Sequence, residues 1–285
     1  MSFVALRNQP IKPAHGRTTL LDIYHPTHSP AETLLVFAHG FKGFKDWGHW
    51  HLLARRFANA GHTFLKFNFA FNGTDPENAT DFVDLEAFGQ NNYTKELQDL
   101  EAVLEWLEEN PAGIPDDVMP LDRIVLVGHS RGGGTTLVKA ARDTRVHALI
   151  SWASVSGLDY AWKDAQMVER WKEKGVYYVL NSRTDQQMPM YYQIYEDFEE
   201  HRDRYNLEKA AKNLDKPHLI VHGAEDPAVS VDEARLLASW NPDARLELIE
   251  GADHVFSGSH PYEKEELPRH SKELLDVCLD FLDDL

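Results

Sequence analysis

The chain is short of cysteine, of positive charge and of long apolar runs, and each shortage removes a class of protein. Cys278 is the only cysteine among 285 residues, so neither an internal disulfide nor a multi-cysteine metal site can be built. Lysine and arginine number 29 against 46 aspartates and glutamates, a formal charge of −17 at pH 7. That balance opposes nucleic acid and anionic membranes, which are bound through basic patches. No run of about 18 apolar residues occurs, so no membrane-spanning helix is expected. The start, MSFVALRNQP, lacks the charged residues and apolar core of a secretory signal. The expectation is a cytoplasmic protein with no membrane or nucleic-acid partner, and a homodimer stays open. Apolar material is ample at 42% of residues, enough for a large core in one or two domains.

The most informative stretch is 121–141, LDRIVLVGHSRGGGTTLVKAA. Ile124, Val125, Leu126 and Val127 read as a strand buried on both faces of a parallel sheet. Gly128-His129-Ser130-Arg131-Gly132 follows at once, and Thr135 to Ala141 can continue as a helix. Strand, G-x-S-x-G, helix is the context of a nucleophile elbow. A serine on so tight a turn sits in strained backbone with its hydroxyl projecting, and the residues two before and two after must lack side chains. A glycine-rich nucleotide-binding turn is the competing reading, but neither G-x-G-x-x-G nor Gly-Lys-Ser/Thr is present.

Along the chain, strand-like and helix-like segments alternate, the signature of an α/β fold with a mostly parallel sheet. Strands are expected at 19–24 (part of an antiparallel edge), 34–38, 62–67, 148–152, 218–222 and 246–249. Helices are expected at 50–60, 93–109, 231–240 and 268–282; in 93–109, Leu97, Leu100, Val103, Leu104 and Leu107 share one face. The stretches 72–77 and 87–92 read as loops. Residues 156–213 break the pattern, being polar, helical in places and rich in aromatics such as Tyr160, Trp162, Trp171 and Tyr191. The division expected is a core of 1–155 and 214–285 with a helical cap inserted at 156–213.

In open α/β sheets, sites form at the carboxyl ends of the strands. His222-Gly223-Ala224-Glu225-Asp226-Pro227 and Gly251-Ala252-Asp253-His254 both follow strands and open on the rim that carries Ser130. A serine hydroxyl needs a base to take its proton; an imidazole suits that near pH 7, and a buried carboxylate orients the ring. Ser130, Asp226 and His254 run in the order nucleophile, acid, histidine. Glu225 is the rival to Asp226. Asp232 is expected to cap helix 231–240, and Asp253 to shape the turn that presents His254. His39 and His222 are expected to bond their loops locally, and His49 and His51 to lie on solvated surface. The backbone N–H groups of Arg131, next to the nucleophile, and of Phe41, in His39-Gly40-Phe41, would hold an oxyanion.

HGF, GHSRGG, HGAEDPAVS and GADHVF together resemble the α/β-hydrolase superfamily of serine hydrolases. Within it the chain is most similar to feruloyl (cinnamoyl) esterase-like and dienelactone-hydrolase-like groups, to which LKFNFAFNGT also points. The resemblance implies an α/β-hydrolase fold, no cofactor, no metal and a Ser130/His254/Asp226 triad. It implies a small-molecule ester as substrate; a peptidase like the prolyl oligopeptidase catalytic domain, or a non-catalytic ligand-binding protein on the same scaffold, are the competing readings. Arg131 stands where feruloyl esterases commonly carry glutamine. Trp152, Trp162 and Tyr191 are candidates to touch substrate, or else simply to pack a satellite core.

Overall fold

The computed structural model describes residues 3–159, 162 and 164–285; Tyr160 lies outside them. In chain order the elements are β1 (Phe3–Ile11), β2 (Thr19–Pro26), β3 (Leu34–Ala38), α1 (Trp50–Asn59), β4 (Thr63–Phe67), α2 (Leu85–Gly89), α3 (Tyr93–Glu109), β5 (Ile124–His129), α4 (Arg131–Ala140) and β6 (Val146–Trp152). They continue with α5 (Ala165–Lys174), β7 (Val176–Asn181), β8 (Gln186–Tyr191), α6 (Gln193–Glu200), α7 (Leu207–Lys212), β9 (His218–Gly223), α8 (Val231–Trp240), β10 (Arg245–Ile249) and α9 (Arg269–Asp283).

Among the described residues, eight strands form one sheet in the order β1-β2-β4-β3-β5-β6-β9-β10. The pairings of β1 with β2 and of β2 with β4 are antiparallel, and the others are parallel. Side chains alternate across the pleat. Leu34, Val36, Leu126 and Leu65 therefore join the apolar layer under α3, α4 and α8, while Leu35, Phe37, Val125 and Phe64 join the layer under α1 and α9. Both faces are covered, which is why these strands read as continuous apolar runs.

From β3 the chain crosses through α1 to β4 on one side; from β5 it crosses through α4 to β6 on the other. These neighbours mark the topological switch point, where the connections leave a crevice beyond the strand ends. The loop His39–Gly43 and Ser130 both open there.

Several elements differ from the sequence reading. β1 lies outside β2 as the true antiparallel edge, and its half-exposed pattern hid it. The stretch read as a loop near 87–92 begins with α2, capped by the Asp84 carboxylate on Ala87 N–H. α4 starts immediately after Ser130 rather than at Thr135. The 156–213 segment is not wholly helical, because β7 and β8 pair antiparallel as a separate two-stranded sheet. Trp162, Trp171, Met188 and Phe198 of that segment join the same apolar cluster as α3, and α7 packs on α4 and α8.

Candidate active site

Ser130 joins β5 to α4 with φ 57° and ψ −124°. A non-glycine residue there carries strain of about 1–3 kcal/mol and persists only where its surroundings impose it. The surroundings do so here: Ser130 N–H donates to Trp152 O at 2.9 Å, and Ser130 O accepts Gly133 N–H at 2.9 Å. A Cβ on Gly132 would lie 2.5 Å from the carbonyl oxygens of Ala38 and His39, and one on Gly128 2.2 Å from Thr136 Oγ1. Neither position accommodates a side chain, so both glycines are required for the turn to close.

The loops after β9 and β10 meet beside it. His254 Nδ1 lies 2.7 Å from Asp226 Oδ2. Asp226 Oδ1 accepts the N–H groups of Ala228 and Val229 at 2.8 and 2.9 Å, and His222 Nε2 lies 3.3 Å from Oδ2. Burial pushes the carboxyl pKa up, but the hydrogen bonds from His222, His254 and Val229 outweigh it and hold Asp226 well below the usual carboxylate range. An ionised Asp226 accepts from His254 Nδ1–H, which leaves the Nε2 lone pair for a proton. Glu225 is exposed.

The loop carrying His254 is held from several sides. Asp253 Oδ1 accepts Val255 and Ser257 N–H at 3.1 and 2.8 Å, which is the turn-shaping expected of it. The Phe256 ring is fully buried, and its carbonyl accepts Ser271 Oγ–H at 2.7 Å. His129 Nε2 lies 2.8 Å from His254 O. His129 is therefore bound to the backbone of the histidine loop, and burial pushes its pKa down to about 3.

On the other side of the crevice, His39 Nε2 accepts Phe69 N–H at 3.1 Å, so its proton sits on Nδ1 and is donated to Gly40 O at 2.9 Å. Burial keeps this ring neutral, with a pKa pushed down to about 4. Gly40 presses against the elbow: a Cβ on it would stand 2.8 Å from Ser130 Cβ. Phe41 N–H has no hydrogen-bond acceptor among the described residues. The Arg131 side chain turns away to a buried pair with Glu96 at 2.6 Å, its guanidinium 4.6 Å from the Phe41 ring centre. A cavity of about 230 Å³ is lined by Ser130, His254, Phe41, Trp50, Lys42 and Asn181, among others.

A model of the alpha/beta hydrolase family matches residues 35–264. The chain belongs to the alpha/beta hydrolase family. A curated relative, the quorum-quenching protein AidA of Acinetobacter baumannii, is 30% identical over 129 residues, a match spanning 45% of this chain and 38% of that protein. Est1E from Butyrivibrio proteoclasticus, solved with ferulic acid bound, superposes with TM-score 0.67 at 19% identity, over 97% of this chain and 98% of that one. The alpha/beta hydrolase GrgF from Penicillium sp. sh18 superposes with TM-score 0.72 at 17% identity, over 100% and 99%. At these identities the two structures speak for the fold alone.

In this alpha/beta hydrolase some sequence expectations need correction. The N-cap of α8 is Ser230, whose Oγ accepts Asp232 N–H at 3.3 Å; Asp232 pairs with Arg235 instead. His49 is buried rather than solvated and bonds Ser271 Oγ at 2.7 Å, bracing the histidine loop against α9. Trp152 is a core residue with its Nε1–H on Cys278 Sγ at 3.3 Å and does not line the cavity. Trp162 lines a separate apolar chamber of about 170 Å³ behind Phe41, and Tyr191 bonds Glu86. His222 bonds its loop as expected, at 2.9 Å from Val229 O, but its reach to Asp226 was missed, as were Lys42 and Asn181. Only the His-Gly-x-x-Asp spacing hinted at the first; nothing in the sequence signalled the other two. Among the described residues no helix is long and apolar enough to cross a membrane.

Proposed function

We propose that the protein is a serine hydrolase of small carboxylic esters, with Ser130 as nucleophile, His254 as base and Asp226 as its orienting acid. The observation that carries this reading is the 2.7 Å bond from His254 Nδ1 to the buried Asp226, at the mouth of the cavity that the strained Ser130 lines. Ser130 Oγ attacks the ester carbonyl carbon and gives its proton to His254 Nε2. The N–H groups of Phe41 and Arg131 hold the oxyanion; each such donor is worth about 10²–10³ in turnover. As the C–O bond breaks, His254 protonates the departing alcohol. It then deprotonates a water that attacks the acyl-Ser130 ester, releasing the acid and restoring the hydroxyl. The segment 156–213 acts as the cap, contributing Asn181, Ser182 and Arg183 to the cavity.

A fluorophosphonate probe should label the wild type and not Ser130→Ala, and butyryl esters should turn over far faster than matched anilides. Labelling that persists in Ser130→Ala would remove Ser130 as nucleophile, and faster anilide cleavage would replace the esterase reading with a peptidase.

A further inference from the structure

The part of the cavity wall contributed by the cap and the loop after β3 is rich in donors. Asn181, at the end of β7, is 6% exposed, and its Nδ2 has no hydrogen-bond partner among the described residues; its Oδ1 accepts Arg183 N–H at 3.4 Å. A buried donor left without a partner is destabilising, so this amide calls for an acceptor that the described residues do not supply. Lys42 also lines the cavity, with φ 56°. Its Nζ donates to Leu180 O at 3.1 Å and lies 5.8 Å from the Phe41 ring centre, and an ammonium has three donors. Arg183, on the β7–β8 turn, lines the same cavity, its guanidinium over the Phe44 and Phe82 rings at 5.8 and 5.7 Å.

Neither cation has a carboxylate within 4.0 Å among the described residues, and no aspartate or glutamate lines the cavity. In a chain of formal charge −17, this local excess of positive charge runs against the composition. It creates a favourable potential for an anion at the mouth of the cavity.

We propose that Asn181, Lys42 and Arg183 form a carboxylate subsite, so that the preferred substrate is a small ester bearing a carboxylate. The proposal rests on the ester-hydrolase reading above and names its substrate class. A carboxylate has acceptor sites for both the Asn181 amide and the Lys42 ammonium, and such charge-assisted bonds are the strong ones. Lys42 directly follows Phe41, so the carboxylate would lie within a few bonds of the reacting carbonyl. The cavity of about 230 Å³ suits a short ester.

Two matched pairs test this in a pH-stat with the full chain. Monoethyl glutarate against ethyl pentanoate places the charge on the acyl side; O-butyryl glycolate against its methyl ester places it on the alcohol side. At least one charged ester should exceed its neutral mate about tenfold in kcat/KM, the equivalent of one charge-assisted bond. That ratio should fall about tenfold in Lys42→Met and further in the isosteric Asn181→Asp, which sets a repelling charge in the subsite. It should also shrink as salt screens the pair. Equal rates within both pairs, or a ratio unmoved in both variants, overturns the subsite while ester turnover keeps the underlying reading. No turnover of any of the four esters, together with no fluorophosphonate labelling, overturns both.

Discussion

His222 Nε2 stands 3.3 Å from Asp226 Oδ2, the oxygen that His254 Nδ1 also reaches. Its other neighbour is Val229 O at 2.9 Å. Both neighbours are acceptors, so Nε2 carries the proton, and His222 braces the carboxylate from a second direction.

Replacing His222 should therefore misplace Asp226 without deleting it. A hydrogen bond to a charged group is worth about 1.5–3 kcal/mol, so His222→Ala should lower kcat for a butyryl ester by about 10- to 100-fold with KM little changed. Steady-state kinetics check this, and Asp226→Ala should lose more. An unaltered kcat would reduce His222 to a packing residue.

Ser130 allows two separate measurements. Ser130→Ala and His254→Ala should each lower turnover by on the order of 10⁵ or more, because such residues act as a unit. Stability should follow an unusual order. Ala at φ 57° keeps the strain that glycine relieves, so Ser130→Gly should melt above Ser130→Ala. About 1 kcal/mol of relief corresponds to about 2–4 °C, readable by calorimetry; the reverse order would mean that the elbow is unstrained.

The buried Arg131–Glu96 pair gives a third prediction. Glu96 also accepts Asn91 Nδ2–H at 2.8 Å and Thr135 Oγ1–H at 3.0 Å. Arg131→Gln leaves this carboxylate without its cation, which should cost about 3–5 kcal/mol, and adding Glu96→Gln should return most of it. Urea unfolding of the two variants measures both values.

Acid stability follows from four buried histidines. Burial pushes His39 down to about 4, and His49, His129 and His218 down to about 3. Each folded-state pKa lies below its unfolded value, so the unfolded chain binds more protons between those values and about 6.5, and stability falls as pH falls through that window. Burial pushes Asp99 the other way, up to about 6, against the hydrogen bonds from His15 and Ala70. The folded chain therefore holds the Asp99 proton at pH 5, which cancels one of the four. Burial lowers the pKa of His51, His62 and His260 as well, so unfolding at pH 5 should take up protons on balance and stability should fall as pH falls. Urea midpoints between pH 4.5 and 6 provide the check; a flat profile would mean that these rings titrate normally when folded.

The sequence was most informative where chemistry restricts residue type. The apolar runs at β3 and β5 needed no context, because strands covered on both faces admit little else. The turn glycines were equally plain, since backbone stands where their side chains would be. β1 was missed because its residues face solvent in part. The β7–β8 hairpin was missed because its aromatics fit a helix face as readily as a strand in so short a stretch. His49 was misplaced because a polar side chain goes inside only when a partner awaits it, and Ser271 is 222 positions away.

Taken alone, the order of residues determined the alternating α/β architecture, the elbow around Ser130 and the chain order of Ser130, Asp226 and His254, because each depends on local periodicity or steric necessity. Only the tertiary structure decided that Asp226 is held by two imidazoles, that Arg131 is buried against Glu96, and that Lys42 and Asn181 line one cavity. Those facts depend on distances between residues far apart in the chain, which no local pattern encodes.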